Sequence, residues 1–474
     1  MKKLIRFSAA LFFTATFIFA QGVGSQGVTD ARSLGMAKTF AVSSSGLDAL
    51  GQNPANLFSD SLKSVEMELP IPIPNIAVGA GSNFFSIENY NYYFGTKVTD
   101  PTDGSVTGRI LTDADKNNLK DIFKNGGTII SDVNVLLFSI SIRPTKSSGT
   151  FAFSISDRVS GIFTMPSGLV ELALDGNTPK KIYNFNDAGL NASWLRKYSF
   201  TYSNKLKFLP KVSKSFKIGA SLNLVSGFAY ASLNRINTEL STSDNYVISG
   251  KSDMIAYSAF AKEFNVHYDF DKNSNTNYSM TPFPTPAGSG VGFDFGFSAE
   301  VNNKLSLGLS FTDLGSVKWD KNIAMFTSSK DFLIDDITDG AQLDTLKNRL
   351  TGKNNGRYIN SVTTPMASAM HVGASYIVTS KLLLALDYHQ GFNDQPGNTK
   401  DPRFSLGIDW HDLGIVNIRT GFSVGGFEKF NWGLGLGLDF GLLEINFGSP
   451  DFQYLFSPNS AKRITFAMNS KWKF

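Results

Sequence analysis

The residues best suited to chemistry in this chain are its four histidines and the acids beside them. Two histidines close similar triplets, Asp387-Tyr388-His389 and Asp409-Trp410-His411. An acid and an imidazole two residues apart share one face of an extended strand, an arrangement that could serve an Asp/His hydrolase or a metal site. With the strand pairing read below, His389 lies opposite about Arg403 near one rim, and His411 lies beside the turn at the other. The pairs then stand about 20 Å apart at roughly 3.3 Å per residue, too far for one site, and solvated inward-facing side chains are the better reading. No Gly-x-Ser-x-Gly elbow, phosphate loop, zinc spacing or calcium loop occurs. The absence of cysteine removes disulfides, thiolate metal ligands and a lipid-modified cysteine anchor. The sequence therefore assigns no catalytic, metal or cofactor-binding residue and no cofactor, and it reads as non-enzymatic.

The elements that must position these residues are strands. Counting back from the C-terminus, Phe474, Trp472, Met468, Phe466 and Ile464 fall on one face, with only Ser470 breaking the row, and Lys473, Lys471, Asn469 and Thr465 fall on the other. Such a period of two is a strand, apolar on one side and polar on the other. In a soluble protein it would be an unpaired terminal edge, a template for aggregation. In a membrane barrel it closes against the first strand and no edge remains.

The pattern recurs upstream. Val291, Phe293, Phe295 and Phe297 alternate with Gly292, Asp294, Gly296 and Ser298, Asn302-Asn303 turns the chain, and Leu305, Leu307, Leu309 and Phe311 continue it. Trp432, Leu434, Leu436, Leu438 and Phe440 alternate with Asn431, Gly433, Gly435, Gly437 and Asp439. A water-facing sheet rarely carries so many glycines in one row, whereas a lumen that must leave room for something inside it could use them. Strands of about 10 residues, tilted near 40°, rise about 25 Å, the height of a barrel's apolar band.

Composition agrees. Met1 to Ala20 reads as a secretory signal, with Lys2, Lys3 and Arg6 ahead of an apolar run. Removing it lowers the net charge from +4 to about +1, leaving no basic footprint for nucleic acid. Elsewhere no apolar run reaches the eighteen or so residues of a membrane helix. Gln21 to Leu62 is rich in small residues and ends in Gly51-Gln52-Asn53-Pro54-Ala55-Asn56-Leu57. Ser64 to Ser82 is the first strand, interrupted by Pro70, Pro72 and Pro74, which makes it short, bent or the site of a wall defect. Asn83 to Asp132 is an insertion with one helix, capped by Thr112 with Asp115 and ended by Gly126. Asp331 to Leu350 repeats apolar residues at helical spacing in the longest loop. Taken backward, long and short connections alternate, giving about 14 strands, or 16 if Ile255 to Tyr268 enters the wall. About 14 strands enclose a diameter near 28 Å, more than inward side chains can fill.

Ser33-Leu34-Gly35-Met36, the small-residue stretch with Asp48, and Asn53-Pro54-Ala55-Asn56-Leu57 together resemble the N-terminal signature of the FadL-like outer-membrane barrels, which include fatty-acid and hydrocarbon importers and barrels of the type IX secretion apparatus. The family more often has Gly where Asn56 stands, and Asn also tolerates left-handed backbone. The resemblance covers about thirty residues; beyond them only the barrel architecture matches. It implies an all-β transmembrane antiparallel barrel spanning 63–474, a plug of residues 21–62 inside its lumen after a signal peptide of residues 1–20, and short helices in loops. Gly35, Asn53, Pro54, Ala55 and Asn56 would form the plug motif. Phe466, Met468, Trp472 and Phe474 are similar to the terminal signal read by barrel-assembly machinery.

The expected location is the outer membrane of a Gram-negative-type bacterium. The expected partners are its lipid, the assembly machinery and a small hydrophobic ligand, with the ligand-binding residues and any protein partner unassigned. The leading expectation for function is passive uptake of small hydrophobic molecules such as fatty acids. An assembly or secretion adaptor that binds a protein without transport is the alternative, and an outer-membrane hydrolase the third.

Overall fold

The computed structural model describes residues 30–60, 63–334 and 356–474 together with Ala341, except 96, 100–103, 105, 146–147, 207–213, 246, 269, 272–277 and 280. The expected signal peptide, and the first nine and last two residues of the expected plug, lie outside them.

Fourteen antiparallel strands close into a barrel. In chain order the wall comprises β1, broken into Val65–Glu68 and Asn75–Ser82, then β2 (Gly127–Ile142), β3 (Thr150–Met165), β4 (Gly189–Leu206) and β5 (Ser215–Thr242). The strand β6 (Ile248–Phe260) stands outside the wall, which resumes with β7 (Gly288–Glu300) and β8 (Leu305–Trp319). Beyond β9 (Ile323–Ile334), also outside, come β10 (Ala369–Thr379), β11 (Leu382–Gly391), β12 (Arg403–Leu413), β13 (Val416–Gly425), β14 (Lys429–Asp439), β15 (Leu443–Ser449) and β16 (Arg463–Lys473). Closure joins both halves of β1 to β16, with Met67 opposite Trp472 and Val78 opposite Phe466.

Side-chain alternation puts the large apolar residues outward. Phe151, Phe200, Phe404, Leu436 and Phe466 are among many left exposed on the outer face, a liability in water and a requirement in hydrocarbon. The inward row is the buried one, and it is polar: Ser139, Thr201, Asn223, Ser310, Asn431 and Asn446 are all nearly inaccessible.

Ser470, the break in the outward apolar row, is covered from outside. The six residues between the halves of β1 run Leu69-Pro70-Ile71-Pro72-Ile73-Pro74 and leave the ladder. The Ser470 hydroxyl lies 3.2, 3.3 and 3.2 Å from the carbonyls of Leu69, Ile71 and Ile73, and the Trp472 indole donates to Ile71 O at 3.0 Å. Asn75 Oδ1 accepts from Ser470 N at 2.6 Å. Backbone facing lipid must have its polar groups met. Three prolines remove three N–H donors, and the last strand supplies donors for the carbonyls that remain.

Two expectations are corrected. The stretch after Asp313 is not a loop: β8 continues to Trp319 and β9 pairs with β6 from Ala259 opposite Ile323 to Ile248 opposite Ile334. Asp331–Ile334, expected at the head of an amphipathic helix, therefore ends a strand, because pairing with β6 overrides the helical spacing; the remainder of that segment lies, Ala341 apart, outside the described residues. The insertion after β1 is also shorter than expected, since β2 starts at Gly127. Its helix α1 (Asp113–Ile122) is capped as expected, Thr112 Oγ1 accepting from Asp115 N at 3.2 Å. Above the rim, β5, β6 and β9 thus form a sheet projecting about 40 Å along its strands. At its base Trp319 stacks on Tyr230 with ring centroids 5.0 Å apart, packed with Val225, Val317 and Met366.

Candidate lumenal site

Residues 30–60 lie inside the barrel and are fastened to its wall on every side. Asp30 caps a five-residue turn of helix, Ala31–Gly35, accepting from the backbone N–H groups of Arg32 and Ser33. The left-handed backbone of Ala37 and Lys38 (φ 51° and 68°) then turns the chain, and Lys38 reaches Glu428 in the connection between β13 and β14. Arg32 points the other way, to Asp409 of β12 at 2.8 Å. Phe40 and Ala41 donate their backbone N–H groups to Asp387 Oδ2 of β11 at 2.6 and 2.7 Å. Leu47 N donates to Glu66 of β1 at 3.1 Å, and Asp48 pairs with Lys471 of β16 at 2.8 Å. On the far side Ser310 and Ser203 donate to the carbonyls of Gln52 and Ala55 at 2.7 and 2.8 Å.

Of the expected motif residues, Asn53, Pro54, Ala55 and Asn56 form one turn, while Gly35 lies apart from them against β14 and β15. Asn53 caps the 3-10 turn Pro54–Leu57, and its amide donates to Ala41 O at 2.7 Å. Asn56 donates to the same carbonyl at 3.0 Å. Asn56 is not left-handed, so the expected reason for its tolerance is replaced by another: its side chain helps to close the loop on Ala41. The glycines of the inward rows make the room. A Cβ on Gly35 would stand 2.6 Å from the Cα of Gly435, and one on Gly448 would collide with the carbonyl of Ala31. Gly219, Gly296, Gly308 and Gly407, on four other strands, and Gly433, on the same strand as Gly435, face the same segment as closely.

The two acid–histidine triplets are separated as their spacing requires. Asp387 and Asp409 hold the N-terminal segment. His389 meets His371 across the sheet, Nδ1 to Nδ1 at 3.1 Å, and His411 pairs with Asp409 at 3.2 Å. Sequence reasoning missed His371 and the docking role of the acids. The available signal was an inward carboxylate on a strand facing a segment rich in unpaired N–H groups.

Electrostatics at the long-loop end are legible in Glu428. Burial opposes its charge, but Lys38, Arg463 and Arg403 outweigh burial and hold its carboxyl down at about 2. Burial pushes the Lys38 ammonium down to about 8 against the pull of Glu428.

A cavity of about 150 Å³ runs beside the segment along β2, β3 and β4. Trp319, Tyr230, Val317, Met366 and Leu195 line it toward the loops, and Asp48, Glu68, Asn75 and Asn469 line it at the level where β1 is broken. A second, charged recess lies toward the short turns, lined by Arg32, Glu66, Arg419, Glu444 and Lys471 among others.

No curated protein matches the sequence. Among solved structures the chain is similar to the toluene transporter TbuX of Ralstonia pickettii, with 11% identity over 95% of this chain and 99% of that one and a TM-score of 0.45. It is similar also to a TodX deltaS2S3 mutant monoaromatic hydrocarbon channel (11% identity, 96% and 99% covered, TM-score 0.49) and to a Pseudomonas aeruginosa FadL homologue (12%, 96% and 100%, 0.47). These likenesses concern the fold. A family profile matches residues 64–449, nearly the whole wall, and by that match the chain belongs to the family of unknown function DUF5723.

Proposed function

We propose that this protein is an outer-membrane channel for passive uptake of small hydrophobic molecules, with residues 30–60 as its plug. The closed wall with its apolar exterior sits in the bilayer, long loops outward and short turns in the periplasm. Phe466, Met468, Trp472 and Phe474 present the terminal strand to the assembly machinery. The observation that carries the reading is the cavity beside the plug, which joins an aromatic chamber near the loops to the break in β1. Ligand held there leaves through that wall defect or after the plug rearranges.

The test is conductance in planar bilayers. Deleting residues 21 to 62 should raise it well above that of the intact protein, and unchanged conductance would count against a plugged channel. One observation favours a second reading, an adaptor that binds a protein partner: β5 rises beyond the rim and there carries β6 and β9, neither of which serves the wall. Stable co-purification of a protein lost on trimming that sheet, with no uptake by the intact barrel, would move the assignment to the adaptor.

A further inference from the structure

Charge along the lumenal cavity restricts what can occupy it. Two cations line it, Arg158 and Lys197, and each is already held. Arg158 grips Asp132 through two bonds of 3.1 and 2.5 Å, and Lys197 meets Asp313 at 2.8 Å. The lining also carries Asp30, Asp48 and Glu68. Glu68 is met by the neutral donors Ser139 and Asn469, at 2.7 and 3.4 Å, and has no ion-pair partner among the described residues. A ligand carboxylate would therefore have to displace a carboxylate from Arg158 or Lys197, or lie with no cation of the lining left to compensate it. Leaving a buried charge without its partner is strongly unfavourable.

The neutral part of the lining is of two kinds. Toward the loops are the faces of Trp319 and Tyr230 with Val317, Met366 and Leu195; along β3 and β4 run Ser154, Ser156, Ser160, Ser193 and Ser199. A plain hydrocarbon would take water from those hydroxyls without replacing its hydrogen bonds. A hydroxyl on the ligand both donates and accepts, so it can replace them.

We propose that the cavity takes an uncharged molecule with an apolar body of about ring size and a hydroxyl group, and excludes the carboxylate of the same body. This rests on the uptake reading above and names its ligand class. The experiment uses the purified mature chain in detergent and two probes that differ in one group, naphthaleneethanol and naphthaleneacetate, at neutral pH. Binding is followed by tryptophan fluorescence and calorimetry. The alcohol should bind at least about tenfold more tightly, the factor that about 1.4 kcal/mol produces. Asp132→Asn frees Arg158 and should strengthen acetate binding by a similar factor while leaving the alcohol unchanged; Asp313→Asn, itself on the lining, should strengthen acetate binding likewise through Lys197 and serves if the first variant fails to fold. Acetate binding as tightly as the alcohol in the unaltered protein, or failing to gain in either variant, overturns the proposal, as does failure of the alcohol to bind. Alcohol binding without passage into proteoliposomes would sink the uptake reading and leave the ligand class standing. Passage with both probes bound equally would do the reverse.

Discussion

Ser470 interrupts an apolar row that faces lipid, and the interruption is matched by what lies over it. Replacing it by Ala would leave the carbonyls of Leu69 and Ile73 short of a donor where water cannot substitute, while Ile71 keeps the Trp472 indole. An unsatisfied buried acceptor costs about 1–3 kcal/mol, so Ser470→Ala should lower unfolding stability by about that much in urea titrations of the reconstituted barrel, and Ser470→Thr should restore it. Equal stability of Ala and Thr variants would show that the bulge is held by something else. Glu428 gives a pH dependence with a definite sign. Its folded-state value of about 2 lies below its ordinary value of 4.5, so its contribution to holding Lys38 is complete above about 4.5 and is lost as pH falls toward 2. Protease cleavage within residues 30–60 should therefore accelerate over that acid window in intact barrels, and Glu428→Gln should flatten the profile. An unaltered profile in the Gln variant would assign the acid step to another group.

At the scale of elements, the N-terminal segment and the wall strands are built for each other. The inward glycines are positions where the backbone of residues 30–60 passes too close for a side chain, and the inward acids on β11 and β12 meet its N–H groups and Arg32. Gly435→Val should therefore push the turn at Gly35 off the wall without unfolding the barrel. The expected readout is raised single-channel conductance with unchanged heat-modifiable migration on gels, while Gly108→Val, at a glycine with open space around its Cβ position, should change neither. Normal conductance in Gly435→Val would mean that the segment yields at no cost, contrary to its fastening.

For the whole molecule, stability depends on which face of each strand meets lipid. Leu436 lies mid-strand on β14, outward and exposed, and an arginine near the bilayer midplane of such a barrel costs about 2–4 kcal/mol. Leu436→Arg should lose that much in folding into lipid vesicles, whereas Ser405→Ala, on the lumenal face of β12 and breaking no side-chain hydrogen bond, should lose far less. Equal losses would place the two faces wrongly and remove the membrane from the account.

How much of this was legible in sequence follows from range. Strand identity, inward and outward faces, the alternation of long and short connections and the count of fourteen come from a period of two, which is local and survives in one chain. The helix capped by Thr112 was local as well. The sheet above the rim was not legible, because whether Ile255 to Tyr268 joins the wall, or its strand part pairs above it, depends on β9, a partner some seventy residues away. The site divides along the same line. Asn53 and Pro54 were marked by their turn chemistry and Gly35 by the family resemblance, while the use of Asp387 and Asp409 as docking points, the meeting of His371 with His389, and the covering of Ser470 by a proline bulge exist only when distant strands are brought side by side. The sequence by itself determined a closed wall of alternating strands. Tertiary structure alone decided how the N-terminal segment is fastened inside it, which charges are already answered there, and so what kind of molecule could share the space.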